Sequence, residues 1–545
     1  MDTHEVNGRD NVARNQMSVA AFGMNIVAGQ ERAGGGEPFR AIDPVSGSYV
    51  GSDFHAATEK DIADAVDLAV QVYNNALLTP GITVPILNTV AHFLEDWAKV
   101  ILETCTGETG LSIPRLESEL ARTSDQLRFL ARIAERGERL DAVIDQGDPE
   151  GMYPELRKVR LPIGPIAVFG ASNFPLAFSV LGGDTASALA AGCPVIMKAH
   201  PAHPATSELC GRLMANAVAK CGLEPGWFSL LQGNGSSVGT QLVQEEGIKA
   251  VAFTGSLQGG RALFDIASRR LNPIPVFAEM GSLNPVFLTK ASIRNRGGQI
   301  AQELAQSISG SAGQLCTKPG LIFLPEGQEG DFLENDLANA FVARPAGHLL
   351  TQTIYDTLAA QFNQTSLIDG VDTLVQQTQT SNDPGLMIPG RLFRTTITNF
   401  RTHPELQSEH FGPSAIIVTC PESEFRTIPE LLEGSLTGTI FFESDESELV
   451  SELLGELIHK VGRVIGNGVP MGVRVARGMS HGGPYPATTS VRDTSVGSAA
   501  IDRFLRPVTY QNIPNELLPL SLRDNNPLGI VRQINSHLTT DSIEI

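Results

Sequence analysis

Between residues 164 and 290, short apolar runs alternate with stretches of helical periodicity, and few folds tolerate that rhythm. Pro165-Ile166-Ala167-Val168-Phe169 and Cys193-Pro194-Val195-Ile196-Met197 read as fully buried strands, as do Ser229-Leu230-Leu231 and Ala250-Val251-Ala252-Phe253. Helical patterns at 176–191, 204–221 and 236–245 separate them. Strands that are apolar on both faces and joined by helices predict a parallel sheet covered on both sides, hence an α/β fold. A second region of the same kind runs from about 286 to 470.

The flanks read differently. Thr58-Glu59-Lys60-Asp61 is a capped helix start, followed at helical spacing by Ile62, Val66, Ala69, Val70 and Tyr73. Helical patterning continues over 84–109 and 116–136. The stretches 142–144 and 156–162 alternate as strands around a polar tip, which predicts a hairpin, and 487–512 is again strand-like before a polar tail. Residues 1–23 read as a loose extension. The mildly apolar 17–27 stretch follows Asp2, Glu5 and Asp10, so a short strand is expected there, not a signal peptide.

Composition excludes several classes. The net charge of −20 repels phosphate backbones and anionic headgroups, so neither nucleic acid nor a membrane is an expected partner. No apolar run is long enough to span a bilayer. The cysteines at 105, 193, 210, 221, 316 and 420 form no C-x-x-C pair and no metal-ligand spacing, which points to free thiols in a reducing compartment, the cytoplasm, and to no bound metal.

Six motifs carry chemistry. Cys316 sits in Gly313-Gln314-Leu315-Cys316-Thr317, after small polar residues that allow close backbone approach, and reads as a nucleophile. Glu279, in Phe277-Ala278-Glu279-Met280-Gly281, has apolar neighbours expected to raise its pKa towards that of a general base. Asn173, in Ser172-Asn173-Phe174-Pro175, follows a strand and can donate to an oxyanion or cap a helix. Phe253-Thr254-Gly255-Ser256-Leu257-Gln258-Gly259-Gly260 is a strand–turn–helix whose free N–H groups can face a diphosphate. Lys198 ends a strand where a ribose hydroxyl or phosphate can be held, and no acidic residue follows within nine positions, which leaves room for a 2′-phosphate. His200 and His203 can add partial positive charge there. Glu409, in Ser408-Glu409-His410-Phe411-Gly412-Pro413, can hold ribose hydroxyls.

In this order, the motifs SNFPL, VIMK, FTGS, EMGS, GQLCT and EHFGP resemble the NAD(P)-dependent aldehyde dehydrogenase superfamily over roughly nine-tenths of the chain. The resemblance implies a Rossmann-type cofactor domain (24–141 and 164–277), an α/β catalytic domain (278–486) and a small β oligomerisation arm (142–163 and 487–512). An extension (1–23) and a tail (513–545) lie outside them. It also implies Cys316 as nucleophile, Glu279 as base and Asn173 as oxyanion donor. Lys198 and Glu409 would hold the riboses, with Phe411 beside them, Gly255, Ser256 and Gly260 would line the pyrophosphate, and Phe174 would touch the substrate.

Two departures stand out. Glu279-Met280-Gly281-Ser282 replaces the usual Glu-Leu-Gly-Gly, and His481-Gly482-Gly483-Pro484-Tyr485-Pro486-Ala487-Thr488-Thr489 replaces the usual C-terminal motif. The latter is similar to a branch that contains 2-oxoglutarate semialdehyde (2,5-dioxopentanoate) dehydrogenases and the fatty aldehyde dehydrogenase of luminous bacteria. It implies an oxo-acid aldehyde as substrate, a long-chain aldehyde as the alternative, NADP favoured over NAD, and a homodimer or homotetramer. A catalytically silent scaffold and acyl transfer to coenzyme A are the other readings. An oxo-acid needs a cation for its carboxylate. Of Arg474, Arg477 and Arg492, which flank the atypical stretch, Arg492 is the expected one.

Overall fold

The apolar runs form two seven-stranded sheets, each covered by helices on both faces. In the computed structural model, which describes residues 20–76, 81–148, 150, 152–378 and 385–543, the first sheet has the strand order Val276–Glu279, Ala250–Thr254, Ile166–Phe169, Val195–Lys198, Phe228–Leu231, Asn25–Val27, Gln30–Arg32. The five strands from Ile166 onwards are parallel, and the two N-terminal strands close one edge antiparallel. Ile166–Phe169, Val195–Lys198 and Phe228–Leu231 are buried at every residue, as continuous apolar runs between two helical layers require.

Chain order reverses beside Ile166–Phe169. The next two strands are added on one side of it, and Ala250–Thr254 on the other. Such a switch opens a crevice at the carboxyl edge, where α/β sheets hold ligands.

The second sheet has the order Asp372–Gln376, Arg391–Thr396, Ser414–Cys420, Leu321–Pro325, Val286–Leu288, Ser435–Phe441, Val461–Gly466. All of its pairings are parallel except that of the Asp372–Gln376 edge strand. The expected helix over 84–109 is two helices, Val84–Asp96 and Ala98–Thr109, broken at Trp97. The 487–512 stretch is mostly not strand. Only Leu505–Gln511 is extended, after the 3₁₀ segment Ser498–Phe504.

Leu505–Gln511 pairs antiparallel with Leu156–Pro162 in a separate five-stranded sheet. Arg532–Ile534 and His537–Thr539, expected to lie in a tail, add two strands to that sheet. The N-terminal stretch enters as the strand Asn25–Val27, and the Glu208 carboxylate accepts the backbone N–H groups of Phe22, Gly23 and Met24. The rest of the expected extension, 1–19, lies outside the described residues.

Candidate active site

Register sets the first half of the site. Glu279 pairs with Thr254, Phe253 with Phe169, and Phe169 with Lys198, so the carboxyl ends of four neighbouring strands lie in one row. Asn173, Gly255 and Ser256 begin just beyond that row. The exposed Ser256 caps the helix Leu257–Ser268, accepting from the N–H of Gly259 at 3.1 Å. A Cβ on Gly260 would sit 2.6 Å from the Met280 sulfur, so glycine lets this helix pack against the strand leading to Glu279.

The second half comes from the second sheet. Before Cys316 the backbone is left-handed at three successive residues, Ser311, Ala312 and Gly313 (φ 49°, 53° and 68°). For the two non-glycine residues this costs about 1 kcal/mol or more each. Gly313 passes so close to Gly412 that a Cβ would come within 2.1 Å of its carbonyl, which locks the cysteine loop against the Glu409 loop. The buried amide of Asn284 donates to the carbonyls of Cys316 and Lys318, both at 2.9 Å. Its oxygen accepts from Ser282 and from both the N–H and the hydroxyl of Thr437. Asn173 Nδ2 donates to the Gln314 carbonyl at 2.9 Å, which brings that amide to the cysteine loop with a second hydrogen to spare.

The residue that sequence reasoning missed is His481. The loop after Val461–Gly466 runs back along the edge strand Val276–Glu279: the Met280 N–H donates to the Ala487 carbonyl, and the Thr489 N–H to that of Ala278. This places His481 Nε2 3.6 Å from Cys316 Sγ and 2.9 Å from Glu279 Oε1. The side chains of His481 and Glu279 are only 1% and 3% exposed. Glu279 Oε1 makes no hydrogen bond, so this is a close polar contact without one. The Ser495 hydroxyl donates to the other carboxylate oxygen of Glu279, and the Ser495 N–H donates to the His481 carbonyl.

Electrostatics here differ from the sequence expectation. Burial pushes Glu279 up, but His481, Ser495 and Arg503 outweigh it and hold the carboxyl below the usual range. Burial raises the Cys316 thiol well above its ordinary value, and the charges of Glu279 and Glu409 raise it further. A thiolate at Cys316 therefore needs a nearby donor, and His481 Nε2 is within reach of it. Sγ, Nε2 and Oε1 also lie within 4.8 Å of one another, a donor set able to capture a soft metal ion and drawn from residues too far apart in sequence to show as a ligand spacing.

The row of strand ends fits a dinucleotide. Burial draws Lys198 down to about 8, and its Nζ donates to the Gly233 carbonyl at 2.7 Å. Glu409 lies against Gly281, where a Cβ would meet its carboxylate at 2.4 Å, so the glycine keeps that pocket open. Phe411 is half-buried beside it. His200 and His203 bring no positive charge. Burial holds both below the ordinary histidine value, His200 Nδ1 accepts from the Ala202 N–H, and His203 Nε2 lies 2.9 Å from the Ala171 carbonyl. Phe174 is half-buried, its ring 5.4 Å from that of Phe178. Arg474, Arg477 and Arg492 are all exposed, and Arg477 is salt-bridged to Glu138.

A model of the aldehyde dehydrogenase family matches residues 31–483. Alpha-ketoglutaric semialdehyde dehydrogenase 2 of Azospirillum brasilense is 42% identical over 518 residues, covering 94% of this chain and 98% of its own. The alpha-ketoglutaric semialdehyde dehydrogenase of Acinetobacter baylyi is 38% identical over 534 residues, covering 95% and 99%. Among solved structures, the NAD+ complex of betaine aldehyde dehydrogenase from Staphylococcus aureus shares the fold with a TM-score of 0.78 at 17% identity, over 94% of this chain and 98% of that one.

Proposed function

The chain belongs to the aldehyde dehydrogenase family, and from that premise we propose that this NAD(P)-dependent enzyme oxidises 2-oxoglutarate semialdehyde to 2-oxoglutarate. The observation that carries the substrate is near-full-length similarity to two relatives named for that semialdehyde. The clustering of Cys316, His481 and Glu279 supports the chemistry.

His481 Nε2 takes the thiol proton of Cys316, and the resulting imidazolium lies against the Glu279 carboxylate. The thiolate attacks the aldehyde carbon, and the oxyanion that forms accepts hydrogen bonds from Asn173 Nδ2 and the Cys316 N–H. Lys198 and Glu409 would hold the dinucleotide, which would supply the two-electron oxidation by accepting the hydride lost as the thiohemiacetal becomes a thioester. Glu279, ionised at neutral pH, takes a proton from water as it attacks the thioester carbonyl, releasing the carboxylate product and the Cys316 thiolate.

NADP is the favoured cofactor in this reading. Positions 199–207 carry no carboxylate to repel a 2′-phosphate, and Glu208, the first acid beyond them, is engaged by residues 22–24 and Arg212. The open edge strand Leu505–Gln511 supports assembly as a homodimer or homotetramer. Six unpaired cysteines fit a reducing compartment, the cytoplasm, and no helix among the described residues is long and apolar enough to cross a membrane.

The test follows NAD(P)H absorbance with the oxo-acid aldehyde and with a long-chain aldehyde, each with NAD and with NADP. Efficient turnover of the oxo-acid, faster with NADP, is the expected result. Turnover of the long-chain aldehyde alone overturns the substrate, and equal rates with both dinucleotides overturn the cofactor preference.

A further inference from the structure

Two arginines beside the catalytic cluster have buried guanidinium N–H groups that no group among the described residues accepts. Arg122, on the helix Ile113–Glu135, donates its Nε to the Val473 carbonyl at 3.3 Å, while Nη1 and Nη2 are buried without a partner. Arg463, on the strand Val461–Gly466, donates Nη1 to the adjacent Gly472 carbonyl at 3.3 Å, while Nε and Nη2 are buried without a partner. Two elements far apart in sequence thus bring their guanidiniums to one two-residue stretch of loop. Neither arginine has a salt-bridge partner among the described residues, although Glu119 lies one turn from Arg122, because Glu119 is taken by Arg115 and by the N–H groups of Leu176 and Ala177.

Their surroundings lead back to the sulfur. The Arg122 guanidinium lies 5.1 Å above the Phe178 ring, that ring is 6.3 Å from the ring of His481, and His481 Nε2 is 3.6 Å from Cys316 Sγ. Phe174, Val473, Val475 and Met479 pack around Phe178 and close an apolar collar. Burial draws both guanidiniums below their ordinary value. What opposes it is the charge of Glu119, Cys316 and Glu279 for Arg122, and that of Cys316 alone for Arg463. A buried charged donor without an acceptor is costly, and pairs of guanidiniums are well suited to carboxylates.

We propose that Arg122 and Arg463 form the subsite for the 2-oxo-carboxylate end of the substrate, a clamp beside Phe178. The assignment rests on the oxo-acid reading above. The aldehyde and carboxylate carbons of that substrate are four carbon–carbon bonds apart, about 5 Å when extended. The charge of Cys316 acts on both guanidiniums, which places them within electrostatic range of the sulfur that receives the aldehyde. The apolar collar covers the methylenes, and the free N–H groups receive the carboxylate and the 2-oxo oxygen. Arg492, which sequence position favoured, is exposed and has no part in the clamp.

The experiment compares kcat/KM for 2-oxoglutarate semialdehyde and for pentanal, a neutral aldehyde of the same length, in the wild type and in Arg122→Met, Arg463→Met and Arg492→Met. The oxo-acid to pentanal ratio is expected to fall on the order of 100-fold in each of the first two variants. Glutarate, tested as an inhibitor of pentanal oxidation, is expected to weaken in parallel, a readout that a merely misfolded fraction would not move. A ratio that stays within about threefold in both variants, or one that falls further in Arg492→Met, overturns the clamp. A wild type that oxidises pentanal but not the oxo-acid overturns the substrate reading itself. A wild-type oxo-acid preference that survives both substitutions overturns only the arginines.

Discussion

The carboxyl edge of the first sheet and the loop between Gly466 and Ser498 furnish one site by opposite means. At the sheet edge, Lys198 and Glu279 are held by parallel register, and their positions follow from hydrogen bonding within the sheet. The loop has no regular structure, yet it delivers His481 and Ser495 to Glu279 and gives Arg122 and Arg463 their anchoring carbonyls. What holds the loop in place is its pairing along the Val276–Glu279 edge. The lesson is a division of labour: sheet register and the strained cysteine loop fix the groups that every aldehyde needs, and the loop tunes their protons and selects the substrate.

The largest effect expected from breaking this division falls on the cysteine. Cys316→Ala should lower aldehyde oxidation on the order of 10⁴-fold or more while cofactor binding, measured by fluorescence titration, persists. Residual turnover within tenfold of wild type would place the nucleophile elsewhere.

The next effect tests the loop. His481→Phe should lower kcat about 10- to 100-fold, since Cys316 then loses the donor nearest its sulfur. In the wild type, burial and two carboxylates keep the thiol protonated at neutral pH, so iodoacetamide labelling of the cofactor-free protein should climb only at pH above the ordinary thiol range. In His481→Phe the same rise should begin at higher pH. Identical labelling curves would show that His481 does not act on the sulfur.

How far these groups were legible in the sequence follows the same division. The parallel strands, Cys316 and Glu279 could be read because continuous apolar runs and short motifs mark them locally. His481 stood in full view in an atypical HGGPYPATT stretch, yet nothing local says that residue 481 returns to residue 279. Only the antiparallel contact of Thr488 with Glu279 does so. The direction of the Glu279 shift was misread for the same reason, because its apolar sequence neighbours are visible while His481, Ser495 and Arg503 are distant. Arg492 was favoured for its nearness in sequence to the unusual motif, whereas the half-buried arginines with unpaired N–H groups lie on a helix and a strand outside it.

Two smaller effects sharpen the comparison. Asn284→Ala removes a buried amide that ties the cysteine loop to both the Glu279 loop and the second sheet. It should cost about 3 kcal/mol of stability, read as a lowered Tm, and about tenfold in kcat. A Tm unchanged from wild type would mean that the loop holds without the amide. Ser495→Ala removes a hydrogen bond that lowers the Glu279 pKa, so the carboxyl should ionise at higher pH and the acid limb of the kcat profile should shift upwards, with a loss of only a few-fold at neutral pH. An acid limb that stays put, or moves down, would remove Ser495 from the tuning of the base.

The most direct test of the central claim, that Cys316 carries the acyl group and Glu279 releases it, is a single-turnover experiment on Glu279→Gln with 2-oxoglutarate semialdehyde and NADP, followed by absorbance and intact-protein mass. The account predicts a burst of about one NADPH per active site, little further turnover, and an acyl adduct that peptide mapping places on Cys316. Steady turnover at the wild-type rate with unmodified Cys316 would contradict it.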